Sequence, residues 1–210
     1  MAMITIVGCG PGALDHLPPV AHRAIAEADV LVGASRLLDL FPTMTAERIV
    51  VGANIPKLLD QMAPHVSQAN IAVLVTGDPG VCSLAQPVIQ RFGRENCRVI
   101  PGISSVQVAF ARLGLDWFGA RLLSAHARIP DLDMADLLKQ DKIAILAGNA
   151  ATTAWIATVA ERLADTHAVF VCQNLTLPEE QVRSLNIGEL AGSTLPSRTV
   201  VLFVRKELMQ

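Results

Sequence analysis

Short runs rich in Val and Ile alternate with stretches rich in Ala and Leu along most of the 210-residue chain. This alternation is typical of βαβ units, in which helices join the strands of a mostly parallel sheet. In the first half it predicts strands at residues 4–7, 30–32, 48–51, 71–75 and 98–100, and helices at residues 19–28, 35–40, 55–63, 81–92 and 105–113.

The stretch GLDWFG at residues 114–119 interrupts the alternation, and a second set of elements follows it. This second set has strands at residues 122–124, 142–146, 168–172 and 199–205, with a helix at residues 151–163. We therefore predict an α/β fold of two α/β domains. The N-terminal domain covers residues 1–115 and the C-terminal domain covers residues 116–210, with a short hinge near residues 114–120.

Composition and charge exclude several classes of function. No apolar run approaches the ~20 residues that span a bilayer, and no basic stretch precedes an apolar core at the N-terminus. The four cysteines form no C-x-x-C pair, which argues against a metal site or a disulfide framework and favours the cytoplasm. A net charge of −2 argues against general nucleic-acid binding. We expect a cytoplasmic protein without metal, nucleic acid or membrane as a partner.

The first glycine loop, GCGPG at residues 8–12, follows the first predicted strand. Gly8, Gly10 and Ala13 fit the G-x-G-x-x-A pattern of dinucleotide-binding folds. However, Pro11 removes an amide donor, the next helix begins only near Pro19, and the second strand lacks the acidic residue that would bind a ribose. The loop therefore argues against a dinucleotide-dependent reductase, and an ordinary strand-to-helix turn stays open as an alternative.

Two further glycine loops follow later strands. In the second loop, TGDPG at residues 76–80, Asp78 places a carboxylate at the sheet edge, caps a helix beginning near Pro79, or does both. In the third loop, PGISS at residues 101–105, Ser104 forms an S-x-x-Q capping box with Gln107, and Ser105 adds a hydroxyl that the cap does not require. Ligands of open α/β sheets bind at the carboxyl edge of the strands. Three such loops predict a cleft built mainly of backbone amides and carbonyls.

Together these loops resemble the signature loops of the tetrapyrrole methylases, which are class III S-adenosylmethionine-dependent methyltransferases. The likeness extends over nearly the whole chain and is greatest to the CbiE-type enzymes of cobalamin (vitamin B12) biosynthesis. It is carried by GCGPG at residues 8–12, TGDPG at 76–80, IPGISSVQVAFARLGL at 100–115, EADVLVGASRLLDLFP at 27–42, LLSAHAR at 122–128 and QNLTLPEEQV at 173–182.

The resemblance implies two α/β domains with S-adenosyl-L-methionine in the cleft between them, usually in a homodimer. It also implies methylation of carbon 5 of a precorrin or cobalt-precorrin macrocycle, with S-adenosyl-L-homocysteine as the product. A separate decarboxylating subunit that methylates carbon 15 is a further implied partner. Because the sequence stops at Gln210, it resembles the stand-alone form rather than the fused one.

The resemblance also assigns site residues. The residues implied to bind the methyl donor are Gly8, Gly10, Pro11, Gly12, Gly77, Asp78, Pro79, Val81, Ser104 and Ser105. Because the implied substrate carries many carboxylates, Arg128 and Arg112 are candidates for binding it. His126 is a candidate for accepting the ring proton that is lost after methylation, with a structural hydrogen bond as the alternative. Asn149 is predicted to cap the helix that follows it.

Two features depart from the family pattern. Where relatives usually have S-x-H-G-R, this chain has Ala127 between His126 and Arg128, which leaves the substrate role of that loop less secure. The stretch LDWFGAR replaces the P-x-T-H-R segment of the uroporphyrinogen enzymes and argues against that substrate. Diphthine synthase-type and ribosomal-RNA ribose methylase-type activities stay open as alternatives, as does a nucleotide-sensing module without chemistry.

Overall fold

The computed structural model describes residues 2–126 and 128–209. These form two compact units that divide between Ser104 and Ser105. Each unit has its own five-stranded sheet with helices packed on both faces. The predicted α/β fold with two domains is confirmed. No described helix is long and apolar enough to cross a membrane.

The first unit contains a parallel sheet. Its elements are β1 (Ile4–Gly8), α1 (Pro19–Ala26), β2 (Val30–Gly33), α2 (Ser35–Leu38), β3 (Glu47–Val50), α3 (Ile55–Met62), β4 (Ile71–Val75), α4 (Ala85–Phe92) and β5 (Cys97–Ile100). The strand order is β3-β2-β4-β1-β5, and every neighbouring pair is parallel. β1 therefore lies between β4 and β5, so the loops that follow these three strands leave the sheet side by side.

Alternation along the strands divides the core of the first unit into two layers. Ile4 and Ile6 point into one apolar cluster, which α3 and α4 cover, while Val7 points into the other, which α1 and α2 cover. This is the period of two expected for side chains on a pleated strand. α1 begins at Pro19 as predicted, because proline at the first helical position lacks only an amide that the helix would leave unbonded.

The second unit contains a mixed sheet. Its elements are α5 (Ser105–Arg112), β6 (Arg121–Ser124), α6 (Met134–Leu137), β7 (Lys142–Ala147), α7 (Ala150–Leu163), β8 (His167–Gln173), β9 (Gln181–Leu185), α8 (Ile187–Ala191) and β10 (Thr199–Arg205). The order is β6-β7-β10-β8-β9, and β6 and β7 are the parallel pair. β10 is antiparallel to both β7 and β8, and β9 is antiparallel to β8. The prediction of a mostly parallel sheet is therefore correct for the first unit and wrong for the second.

The division between the units lies 11 residues before the predicted one, and this stretch contains helix α5. The predicted first domain includes residues 105–115, whereas the structure groups α5 with the second unit. The physical reason is the apolar face of α5, where Val106, Ala109 and Phe110 are fully buried in one cluster with β7, β8 and β10. A connecting helix belongs to the sheet on which it buries this face.

Candidate functional site

The three glycine loops meet at the carboxyl edge of the first sheet, and their backbones are in close contact. A Cβ atom added to Gly102 would lie 2.3 Å from the Gly77 carbonyl oxygen and 2.7 Å from the Gly8 carbonyl carbon. A Cβ atom added to Gly8 would lie 2.5 Å from the Gly102 nitrogen. No side chain fits at these distances, so Gly8 and Gly102 are required for the packing of the loops.

Backbone hydrogen bonds join the first loop to the second. The Gly77 amide donates to the Gly10 carbonyl at 2.8 Å, and the Gly10 amide donates to the Gly77 carbonyl at 3.3 Å. Both residues adopt positive φ angles, +73° at Gly10 and +67° at Gly77, in the region that favours glycine. The glycines of the sequence motif thus serve two purposes, close packing at Gly8 and Gly102 and left-handed turns at Gly10 and Gly77.

Asp78 links the second loop to the third. Its Oδ1 accepts a hydrogen bond from the Gly80 amide at 2.7 Å, and its Oδ2 accepts one from the Gly102 amide at 3.1 Å. The alternative role of Asp78 as a helix cap near Pro79 is wrong, because α4 begins only at Ala85. There the Ser83 hydroxyl accepts from the Ala85 amide at 3.0 Å, whereas Asp78 orients two loop amides.

A second polar contact to this loop comes from α2. The Arg36 guanidinium donates a short hydrogen bond to the Thr76 hydroxyl. Sequence reasoning missed this contact, since Arg36 precedes Thr76 by 40 positions and neither residue stands out alone. The signal that could have found it is the order of the strands, which places β2 beside β4 and therefore α2 beside the second loop.

The other residues that the resemblance implies to bind the methyl donor lie in or beside these loops. Pro11 and Pro79 are buried, and Gly12 is half-buried in the first loop. The Val81 amide donates to the Asp78 carbonyl at 3.0 Å, which closes a turn after the second loop. Ser104 is buried, and Ser105 is the first residue of α5. The structure thus brings Gly8, Gly10, Gly77, Asp78 and Val81 together with Gly102. That any of these residues contacts a methyl donor is a proposal.

His126 belongs to a separate group at the carboxyl ends of the parallel strands β6 and β7 in the second unit. Its Nδ1 lies 3.4 Å from the Ala147 carbonyl oxygen, and its own carbonyl accepts from the Asn149 side-chain amide at 3.3 Å. A Cβ atom added to Gly148 would lie 2.3 Å from the His126 carbonyl oxygen, so only glycine fits there. The backbone at His126 is therefore fixed by the turn between β7 and α7. Ala127 lies outside the described residues, and the Arg128 side chain is exposed.

Asn149 makes the predicted helix cap. Its Oδ1 accepts from the Thr152 amide at 3.0 Å, and the Thr152 hydroxyl accepts from the Asn149 amide at 3.2 Å. This reciprocal capping box satisfies amides that the first turn of α7 would otherwise leave without partners. The same side chain also bonds the His126 carbonyl, so one residue both starts α7 and orients the histidine loop.

Arg112 forms a bidentate ion pair with Glu180. The Arg112 Nε lies 2.6 Å from Glu180 Oε1, and the second contact to Oε2 is 3.2 Å long. The hydrogen bond to Glu180 raises the pKa of Arg112, because it stabilises the charged guanidinium. Glu180 also accepts from the Thr176 amide, so the carboxylate holds the loop between β8 and β9. Arg112 thus already has a carboxylate partner on the Nε–Nη2 edge of its guanidinium, whereas the Arg128 side chain is exposed, so Arg128 is the better candidate for the substrate contact.

The three packed glycine loops of the first unit suit a ligand that is recognised by backbone atoms. These loops offer amides, carbonyls and the Asp78 carboxylate, which already accepts hydrogen bonds from two amides. Among residues 2–126 and 128–209, no three or more His, Cys, Asp or Glu side chains cluster closely enough to hold a metal ion. Such an arrangement can hold a molecule in a defined position, and correct positioning of reactants lowers many reaction barriers substantially.

Comparison with known proteins agrees with this description. A family model described as tetrapyrrole (corrin/porphyrin) methylases matches residues 3–191. The chain is 31% identical over 201 residues to cobalt-precorrin-7 C(5)-methyltransferase of Salmonella typhimurium, covering 95% of this chain and 98% of that protein.

Two solved structures extend the likeness to the fold. The cobalamin biosynthesis precorrin-6Y methylase (cbiE) of Archaeoglobus fulgidus is 27% identical with a TM-score of 0.73, covering 96% of this chain and 97% of that one. Uroporphyrin-III C-methyl transferase of Thermus thermophilus, solved with S-adenyl homocysteine, is 20% identical with a TM-score of 0.78, covering 97% and 92%. The chain therefore belongs to the tetrapyrrole (corrin/porphyrin) methylases.

Proposed function

We propose that this protein is an S-adenosylmethionine-dependent methyltransferase that acts on carbon 5 of a precorrin or cobalt-precorrin macrocycle in cobalamin biosynthesis. The observation that carries the proposal is the likeness to the Salmonella enzyme, whose name states this activity and which aligns over 98% of its length. The donor is supported by the packed glycine loops of the first unit and by the product bound in the Thermus relative.

The residues of the first unit fit such a donor. Gly8 and Gly102 bring the loops together without side chains between them, so the loops present backbone groups to a ligand. When bound, S-adenosylmethionine supplies a methyl group on a positively charged sulfur atom. We assign its binding to the loop residues Gly8, Gly10, Pro11, Gly12, Gly77, Asp78, Pro79, Val81, Ser104 and Ser105. Their task is to hold the donor in line with the ring carbon and to exclude water.

We assign to His126 the role of accepting the proton that the ring loses after methylation. A carbonyl oxygen only accepts hydrogen bonds, so the contact to Ala147 assigns the imidazole hydrogen to Nδ1. Nε2 then carries a lone pair and can take up a proton, while the exposed Arg128 nearby along the chain offers a guanidinium to a ring carboxylate. A general base of this kind contributes about 10²- to 10⁴-fold to a rate.

The cysteine usage supports one further part of the proposal, the cytoplasmic location, and the family resemblance supports two more, the homodimer and the separate subunit. We propose that the protein works in the cytoplasm as a homodimer, and that a separate decarboxylating subunit performs the carbon-15 methylation. Sedimentation of the purified protein, alone and mixed with such a subunit, tests both assemblies. A monomer at micromolar concentration would contradict the homodimer.

The experiment that tests the proposal begins with the donor. S-adenosylhomocysteine and NAD are titrated separately into the protein in a calorimeter, with thermal melts in parallel. At 100 times its dissociation constant, a specific ligand adds roughly 2.7 kcal/mol to the free energy of unfolding. We expect this stabilisation from S-adenosylhomocysteine and none from NAD. Binding of NAD alone would contradict the methyltransferase.

The second step tests the acceptor. The protein is incubated with S-adenosylmethionine carrying a ¹³C-labelled methyl group and with the tetrapyrrole that is the carbon-5 substrate, with and without cobalt. We expect the label on carbon 5 by NMR. Donor binding without transfer to any tetrapyrrole would indicate a sensor, and transfer to uroporphyrinogen would indicate a different member of the family.

A further inference from the structure

We infer that Asp78 is a positioning residue, which fixes the second glycine loop against the third through two backbone amides. On this inference it does not act as the counter-charge of the donor's sulfonium. The inference rests on the proposed function, because it concerns how the donor loops acquire their shape. It changes the role that a carboxylate in a site for a cation would ordinarily be given.

The contacts of Asp78 divide between two loops. Oδ1 bonds the amide of Gly80 in its own loop, and Oδ2 bonds the amide of Gly102, which lies 24 positions further along the chain. Each carboxylate oxygen therefore already interacts with a backbone hydrogen. Hydrogen bonds to an ionised acceptor are about twice as strong as neutral ones, so the carboxylate suits the purpose of holding two loops together.

The packing around Gly102 explains why a bridge is useful there. Gly8, Gly77 and Gly102 touch through backbone atoms, with no room for a side chain between them. Such a contact buries little apolar surface, and the third loop leaves the edge strand β5, which has a neighbour on one side only. A small shift of Gly102 would open or close the cradle that the three loops form. The Asp78 bridge sets that distance.

The two roles of Asp78 predict different ligand dependence. A counter-charge would favour S-adenosylmethionine, whose sulfur is positive, over S-adenosylhomocysteine, whose thioether is neutral. A bridge between loops shapes the cradle for both ligands equally. The ratio of the two dissociation constants therefore distinguishes the roles, because only loss of a counter-charge changes it.

The experiment compares wild type with Asp78→Asn and Asp78→Glu by calorimetric titration with each ligand. Asparagine is similar in size but presents one acceptor oxygen and an NH₂ group, so it loses one of the two amide bonds. We expect both dissociation constants to rise roughly tenfold in this variant, as for loss of one hydrogen bond to a charged group. Their ratio should stay within about twofold of the wild-type ratio, as a shared shape requires.

Asp78→Glu keeps the charge and changes the length of the side chain. We expect it to weaken the binding of both ligands as Asp78→Asn does, because the bridge depends on the distance between the carboxylate and the two loop amides. The matched control is Asp39→Asn, which removes one negative charge from an exposed residue after α2. This control should leave both dissociation constants unchanged. Circular dichroism of each variant verifies that it is folded before the titrations are compared.

Three results would overturn the inference. Selective weakening of S-adenosylmethionine in Asp78→Asn, with recovery in Asp78→Glu, would make Asp78 the counter-charge. Unchanged affinities in both variants would mean that Asp78 does not position the loops. If wild type binds neither ligand, the proposed function itself fails, and the inference fails with it.

Discussion

Gly102 is one of the positions at which the surrounding backbone leaves no room for a side chain. An added methyl group would meet the Gly77 carbonyl oxygen at 2.3 Å and two Gly8 backbone atoms at 2.7 and 2.8 Å, and none of these can rotate away. Overpacking of this kind costs about 1–3 kcal/mol. We therefore expect Gly102→Ala to lower the melting temperature by several degrees and to abolish the titration signal with S-adenosylhomocysteine.

The control for this prediction is Gly52→Ala, because a Cβ atom at Gly52 would have no atom within 4 Å. This variant should melt and bind as wild type does, or be slightly more stable, since alanine restricts the unfolded chain. Equal behaviour of the two variants would contradict the assignment of Gly102 to the cradle.

His126 gives a prediction about turnover. His126→Gln keeps a side-chain amide that can donate to the Ala147 carbonyl but cannot take up a proton near neutral pH. We expect kcat to fall about 10²- to 10⁴-fold while the dissociation constant of S-adenosylhomocysteine stays the same. A variant that keeps full turnover would show that His126 only orients its loop, which is the structural alternative for this residue.

His167 makes stability depend on pH. It is buried in β8, its Nε2 lies 2.8 Å from the Gln140 carbonyl oxygen, and burial lowers its pKa below the usual 6.5. As the pH falls below about 6.5, the unfolded chain takes up a proton that the folded chain refuses. The free energy of unfolding should then decrease by at most about 1.4 kcal/mol per pH unit from this group.

Urea unfolding of wild type and His167→Gln between pH 8 and pH 5 tests this. At pH 8 the histidine is neutral in both states, so the group adds no pH dependence there. We expect the difference in unfolding free energy between the two proteins to change in favour of the variant as the pH falls through 6.5. A difference that is constant across this range would contradict the lowered pKa.

At the scale of elements, the loop between β8 and β9 is held in a strained conformation. Asn174 and Thr176 have φ angles of +50° and +71°, and a β-branched residue in this region costs about 1–3 kcal/mol. Glu180 offsets this cost, because it accepts from the Thr176 amide while it pairs with Arg112. This whole loop, residues 174–180, lies in the QNLTLPEEQV motif, whose role the sequence left open.

Removing the ion pair should therefore loosen this loop specifically. In Glu180→Gln we expect amide hydrogen exchange at residues 174–180 to accelerate roughly tenfold, with little change in α7. The matched control is Arg91→Gln, which breaks the exposed pair with Asp60, where the atoms lie 3.5 Å apart. Exposed pairs of that kind contribute about 0–1 kcal/mol, so exchange should not change. Equal amide hydrogen exchange in both variants would contradict the role of Glu180 in holding this loop.

The sequence predicted most elements, because the period of apolar residues follows local geometry. β4 and β10 occupy residues 71–75 and 199–205 as predicted, and α7 begins one residue earlier than predicted. The predicted helix at residues 81–92 is shorter, since its first turn is replaced by the turn that Ser83 closes onto Ala85. β9 was missed, because its pattern of exposed and half-buried residues gives no apolar signal.

At the scale of the whole molecule, the sequence predicted two α/β domains but not the direction of the strands in the second. β10 comes last in the chain yet lies between β7 and β8, antiparallel to both. Periodicity reports which face of a strand is buried and carries no information about its neighbour. Prediction of the site from the sequence was incomplete for the same reason. The glycine motifs identified the loops, whereas the Asp78–Gly102 and Arg112–Glu180 contacts join residues that are distant in the chain.

Two buried cysteines allow each unit to be followed separately. Cys9 lies in the core of the first unit and Cys172 in the core of the second, and burial raises the pKa of each thiol to about 12. At pH 8 the reactive thiolate is then on the order of 10⁻⁴ of either group. Cys82 is exposed, so in the folded protein we expect iodoacetamide to label Cys82 rapidly, and to label Cys9 and Cys172 only when their units open.

Pulse labelling in increasing urea, read by peptide mass spectrometry, measures this opening. Both tryptophans, Trp117 and Trp155, belong to the second unit, so labelling of Cys172 should follow the change in tryptophan fluorescence. Labelling of Cys9 reports the first unit, and S-adenosylhomocysteine at 100 times its dissociation constant should slow it by up to about 100-fold. Rapid labelling of Cys9 without urea would contradict its burial. Labelling of Cys9 that is indifferent to the ligand would instead contradict the placement of the donor on the glycine loops, because a ligand bound there must stabilise the unit that contains them.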